Sequence, residues 1–129
     1  MFWVAVASLI MLISGTGDDT RAFRERAEAF KEAISLYVQD GPREARAIAA
    51  VERSECSFRR HREKLAQKQA CLAKVDAAYA ATRQDYLACL AGTQNIWLES
   101  SDALIKSQRD LQASITPEEW ALVQARVTR

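Results

Sequence analysis

The sequence predicts an all-α protein, with an N-terminal membrane-anchor helix followed by amphipathic helices that include one very long helix packed against an antiparallel return helix. Three observations carry this reading. Met1 to Ser14 is apolar except for serines, only two prolines and four glycines interrupt 129 residues, and large apolar side chains recur at every seventh position through the centre. A composition heavy in Ala, Glu, Arg, Gln and Leu favours helix, whereas a sheet would need more β-branched and turn residues. The length fits one domain, and with an anchor set aside the remainder buries only a modest core.

The anchor is residues 1–14, with Phe2, Trp3, Val4, Leu9, Ile10, Leu12 and Ile13 as its apolar members. At 1.5 Å per residue the run reaches about 21 to 25 Å, short of a hydrocarbon core of about 30 Å. Thinning, tilting or neighbouring subunits absorb the difference, and Phe2 and Trp3 suit the interface, where aromatic rings collect. A secretory signal peptide is the competing reading. It lacks a basic n-region here, and Ser14-Gly15-Thr16-Gly17 is a poor cleavage site.

Residues 15–129 form the helical domain, with helices expected at about 19–39, 43–91, 94–115 and 117–127. Asp18, Asp19 or Thr20 can cap the first, whose apolar side is Phe23, Ala27, Phe30, Ile34 and Tyr37 at steps of four and three. Asp40-Gly41-Pro42 stops it, with Gly41 in a left-handed closing position and Pro42 opening the next helix. Between Pro42 and Ala91 there is no proline or glycine, which predicts one helix of about 50 residues and about 75 Å.

Phe23, Phe30, Tyr37, Val51, Phe58, Leu65, Leu72, Tyr79 and Tyr86 share one sevenfold count, like one seam position of a coiled coil. The companion position, Ile48, Glu55, Arg62, Gln69, Asp76, Arg83 and Leu90, is polar through its middle. A narrow stripe against neighbouring helices or a partner is therefore expected ahead of a two-stranded coiled coil, which would make the chain a homo-oligomer. Ala73, Val75, Ala80, Leu87, Cys89 and Leu90 broaden the apolar face, as though another helix packs there. Gly92 turns the chain into a return helix marked by Trp97, Leu98, Leu104, Ile105, Leu111 and Ile115. Thr116-Pro117-Glu118-Glu119 then reads as a capping box starting a short last helix.

Chemistry is sparse along the chain. A net charge of +1 gives no reason to expect a nucleic-acid partner, because phosphate binding needs a large basic excess or a clear basic face. Arg53, Arg60, Lys64 and Lys68 share a helix face that is either solvated or docks on an acidic protein surface or anionic lipid. Cys56, Cys71 and Cys89 have neither a metal nor a redox spacing, and His61 is the single histidine. Within one straight helix these thiols stand over 20 Å apart, against about 6 Å between the Cα atoms of a disulfide. They are therefore free unless the long helix folds back, and the one hairpin considered, near Arg60 to Glu63, has no turn residue to support it. Trp97 and Trp120 are expected to be buried, and His61 with its charged neighbours makes no catalytic set. No catalytic, cofactor or metal residue is assigned.

Ile115-Thr116-Pro117-Glu118-Glu119-Trp120 resembles the LTxEQ-type helix start of the periplasmic Spy and CpxP family, without its Gln or its second copy of the motif. Membrane-anchored helical-hairpin metal sensors have a comparable layout, but their ligands are not carried here. The functional expectation is a non-enzymatic accessory or scaffold subunit of a bacterial membrane complex, in contact with other subunits and with the lipid bilayer. The alternatives are a membrane-tethered periplasmic stress or metal sensor and a spanin-like coiled-coil bridge. A single-pass inner-membrane location is expected. Arg21, Arg24, Arg26 and Lys31 after the anchor lean the bulk of the chain towards the cytoplasm, with the periplasm as the alternative.

Overall fold

The computed structural model describes residues 18–128. The anchor residues Phe2, Trp3, Val4, Leu9, Ile10, Leu12 and Ile13 therefore lie outside the described residues. Within them the chain forms five helices and no strand: α1 (Asp18–Tyr37), α2 (Gly41–Ala77), α3 (Arg83–Leu90), α4 (Thr93–Ser114) and α5 (Pro117–Val127). No helix among the described residues is long and apolar enough to cross a membrane.

Local chemistry sets most of the boundaries. The Asp40 carboxylate accepts from the Arg43 amide at 2.9 Å, which caps α2, and Pro42 sits in its first turn. Gly41 thus opens α2 rather than closing α1 in a left-handed conformation, and the only positive φ among the described residues is at Gly92, at 81°. That backbone lets α3 end and α4 begin within two residues. The last helix starts as its capping box predicts, with the Glu119 amide donating to Thr116 Oγ1 and the Thr116 amide donating to the Glu119 carboxylate.

Helices α2 and α4 run antiparallel and share the largest helix–helix contact, while α1 lies against α2 and α5. One end of this hairpin is a true core. Phe30 and Ile34 of α1, with Val38 just after it, meet Ala47, Ala50 and Val51 of α2, Leu111 of α4, Ile115 between α4 and α5, and Val123 of α5. Alanines on α2 allow close approach, and Trp120 adds its ring 6.4 Å from that of Phe30. Further out, Phe23 stacks on Phe58 at 4.2 Å beside Leu104. The sevenfold stripe is thus occupied within the chain through Phe23, Phe30, Val51 and Phe58, which removes half of the seam a coiled-coil dimer would need.

The expected single helix from 43 to 91 is broken. Chain direction reverses after Ala77 although 77–81 is the helix-favouring run Ala-Ala-Tyr-Ala-Ala. Ala78 is extended, at φ −86° and ψ 119°, and Thr82 caps α3 through a Thr-x-x-Asp box with Asp85. The Asp76 carboxylate accepts from the Tyr86 hydroxyl at 2.7 Å across the bend, and Cys71 is disulfide-bonded to Cys89, with Cα atoms 5.6 Å apart. Tertiary bonds override propensity here, as they routinely do. Tyr79 consequently stands outside any helix and is fully exposed, and the apolar broadening expected in this half is largely solvent-facing, with Ala73, Leu87 and Leu90 exposed.

Burial along the stripe sets the expected cost of truncation. Phe58→Ala should lower the unfolding free energy by about 3–5 kcal/mol, whereas Tyr79→Ala should change it by no more than about 0.5 kcal/mol, as read by urea denaturation. Breaking the Cys71–Cys89 bond, which spans 18 positions, should cost up to about 3 kcal/mol. Hydrogen exchange should place that loss in residues 71–92, because α3 alone is too short to hold as a helix.

Candidate functional site

Two parts of the hairpin differ in how they are held. Where α1 and α5 cover it, α2 and α4 contribute a buried apolar core. Beyond Phe58 the fully buried residues shrink to His61, Ile96 and Cys89, and the rest of α2, α3 and the first half of α4 form a distal arm. Leu65 and Leu72 are only half-buried there. The arm is held mainly by polar and covalent contacts.

The basic face predicted on α2 faces α4. Arg53 Nη2 lies 3.2 Å from Asp110, Lys64 Nζ lies 3.0 Å from Glu99, and the Lys68 ammonium donates to the Ala91 carbonyl at the end of α3. As the α2 positions climb, their partners descend along α4, which is the antiparallel register written in charges. Three of these four cations thus have acceptors within the chain, Asp110 and Glu99 on α4 and the Ala91 carbonyl just before it. Arg60 remains exposed at the edge of a crevice of about 90 Å³ lined by Ser57, His61, Lys64, Glu99, Ser100 and Ala103.

Between the arm and the core sits His61, 2 % exposed. Its Nδ1 lies 2.5 Å from Ser100 Oγ, and its ring meets Trp97 edge-on at 4.6 Å. Burial pushes its pKa below the ordinary value, the Ile96 carbonyl opposes that, and Arg62 and Lys64 add to it. Trp97 itself is at the surface, 37 % exposed, rather than buried as expected from its type.

The arm carries several large apolar side chains in solvent. Leu87 and Leu90 of α3, Leu98 of α4 and Tyr79 at the bend are all exposed. Cys56 is the free thiol among the described residues; it is exposed on α2, 3.5 Å from Arg59 Nη2. No group of three or more metal-ligating side chains occurs among the described residues. The crevices of about 50 Å³ between Phe23, Phe30, Val51 and Leu111 and of about 90 Å³ beside His61 are small against the roughly 300–1,000 Å³ of small-molecule sites. Extended surface is what the arm offers. Comparison with protein-family models, with curated proteins and with solved structures finds no match.

Sequence reasoning missed two of these features, the Cys71–Cys89 pair and the His61–Ser100 contact. The first was detectable: Thr82-Arg83-Gln84-Asp85 is a helix-start signal that places a bend between the two cysteines. The second had no local signal, since His61 and Ser100 meet only through the hairpin.

At the opposite end, Arg43 ties three helices together. It donates to Glu119 at 2.5 Å and towards the Ser114 carbonyl at the end of α4. The Arg43 guanidinium and the Thr116 amide hold the Glu119 carboxyl down at about 2, below its ordinary 4.5. A depressed carboxylate stabilises the fold above its unfolded value, and that stabilisation is lost as pH falls. Thermal stability should therefore drop between pH 4.5 and about 2, and Glu119→Gln should flatten that limb in a melting series against pH.

Proposed function

We propose that this chain is a membrane-anchored helical accessory or scaffold subunit of a larger bacterial membrane complex, acting through protein–protein contacts of its distal arm. The observation that carries the reading is a disulfide-braced arm with little core of its own that nevertheless holds Leu87, Leu90 and Leu98 out to solvent. Apolar side chains exposed on a braced element are what a binding surface requires, and α3 contributes little else to the fold. The anchor in this reading is Met1 to Ser14.

We infer that the arm lies on the oxidising side of the membrane, the periplasm in a bacterium. Disulfides persist there and are rare in the cytoplasm, where thiol systems keep cysteines reduced. The basic residues after the anchor, Arg21, Arg24, Arg26 and Lys31, argue for the opposite orientation. Asp18 and Asp19 separate them from the apolar run, and a buried Cys89 bonded to Cys71 is the more direct sign of compartment.

Deleting Met1 to Ser14 should move the protein from the carbonate-washed membrane fraction to the soluble one; retention in the membrane would refute the anchor. In intact cells, a membrane-impermeant maleimide should label the exposed Cys56 before lysis. Protection of Cys56 until lysis would place the arm in the cytoplasm. Purification in mild detergent should bring partner subunits with the wild type and lose them in a Leu87→Asp/Leu90→Asp variant that keeps its helicity by circular dichroism.

A further inference from the structure

The change from apolar core to polar arm happens at one residue. His61 is the last buried side chain on α2, and Ile96, one turn before Ser100, is the first on α4. Just inside that level Phe58 and Leu104 still pack with Phe23 of α1; just outside it the two helices are joined by Lys64–Glu99 and by Lys68 on the Ala91 carbonyl. The imidazole is therefore the plug at the neck of the hairpin.

Its surroundings fit the neutral ring alone. A neutral imidazole has one donor nitrogen and one acceptor, and Ser100 Oγ lies 2.5 Å from Nδ1, where the hydroxyl can donate to a ring whose proton sits on Nε2. Nε2 is buried and makes no well-formed hydrogen bond. Protonation would turn Nδ1 into a donor, force the Ser100 hydroxyl to rotate away, and leave a buried cation with the Ile96 carbonyl rather than solvent to stabilise it, which burial outweighs. The charged groups facing the ring make this worse. From α2 these are Arg60, Arg62 and Lys64; from α4 there is Glu99, whose carboxylate is already engaged by Lys64 at 3.0 Å.

We propose that His61 is an acid-sensitive joint, whose protonation releases the distal arm from the helical bundle while the Cys71–Cys89 bond keeps the arm itself closed. The closed neck holds the neutral ring, and the open neck exposes it to water, where its pKa returns towards 6.5. The folded value is lowered, so the open form binds the proton more tightly. Closure is fully favoured above 6.5 and weakens as pH falls below it, the opening equilibrium rising by up to about tenfold per pH unit until the ring protonates in place. This window lies above that of Glu119, so the joint opens while the bundle remains intact.

The chain has one histidine, so nitrogen NMR on the full-length protein in detergent reads its tautomer and titration without assignment. The expected result is a proton on Nε2 and a midpoint below 6.5, with amide exchange at residues 93–100 accelerating as pH falls below 6.5, beyond the intrinsic pH effect. Residues 43–51 should not respond. His61→Gln can still meet Ser100 but cannot titrate, and should abolish the acid response. A midpoint at or above 6.5, exchange at 93–100 that ignores pH, or the same acid response in His61→Gln would each overturn the proposal. Should that variant fail to fold, the wild-type titration and exchange decide alone.

Discussion

The antiparallel contact between α2 and α4 positions everything else in the described chain. It brings Arg53 to Asp110, His61 to Ser100 and Lys64 to Glu99 in one continuous register. Helix α1 docks in the groove that this pair creates, placing Phe30 and Ile34 over Val51 and Leu111. The bend that forms α3 is likewise a consequence, because α4 can return along α2 only if the chain turns between them. A slip of α4 along α2 would separate His61 from Ser100 and Lys64 from Glu99 together, so the fold has little tolerance for an altered register.

That contact is built from two different materials. In the bundle it is apolar, and Ala47 and Ala50 allow α2 close to its neighbours. In the arm it includes the exposed Lys64–Glu99 ion pair and the Lys68 hydrogen bond to the Ala91 carbonyl, and such exposed pairs contribute little to stability because water screens them and long side chains lose entropy in making them. The covalent bond between Cys71 and Cys89 compensates by restricting the arm's open states. A region held this way can present apolar side chains without collapsing around them. Regions with few buried apolar contacts open locally at lower free energy, and elements that bind or move are drawn from that end of the range.

Charge distribution follows the same division. The cations on α2 looked like a surface for an acidic partner when only their helical spacing was considered. Arg53, Lys64 and Lys68 instead meet acceptors on α3 and α4, and Lys31 of α1 meets Glu55 of α2 at 2.9 Å. Hydrogen bonds from the Lys31 ammonium to Glu28 on its own helix and to Glu55 on α2 raise its pKa. These contacts specify which helices lie together more than they stabilise the fold. On the arm, Leu87, Leu90 and Leu98 stay exposed.

Helix content and the start of the last helix were determined by the sequence alone, because capping boxes and proline positions act within a single turn. The Asp40–Pro42 stop was legible too, although Gly41 opens the next helix instead of closing the last. Burial of Phe23, Phe30, Val51 and Phe58 followed from their spacing, since a helix puts every seventh residue on one side. The same count misplaced Tyr79, which lies in a bend that only the tertiary structure decided. An alanine-rich segment prefers helix when judged locally; the Asp76–Tyr86 and Cys71–Cys89 bonds that turn it link positions distant in sequence. His61 shows the same limit. Its sequence neighbours are arginines and a glutamate, and nothing among them foretells a buried ring, because Ser100 and Trp97 reach it from a helix that begins more than thirty residues later.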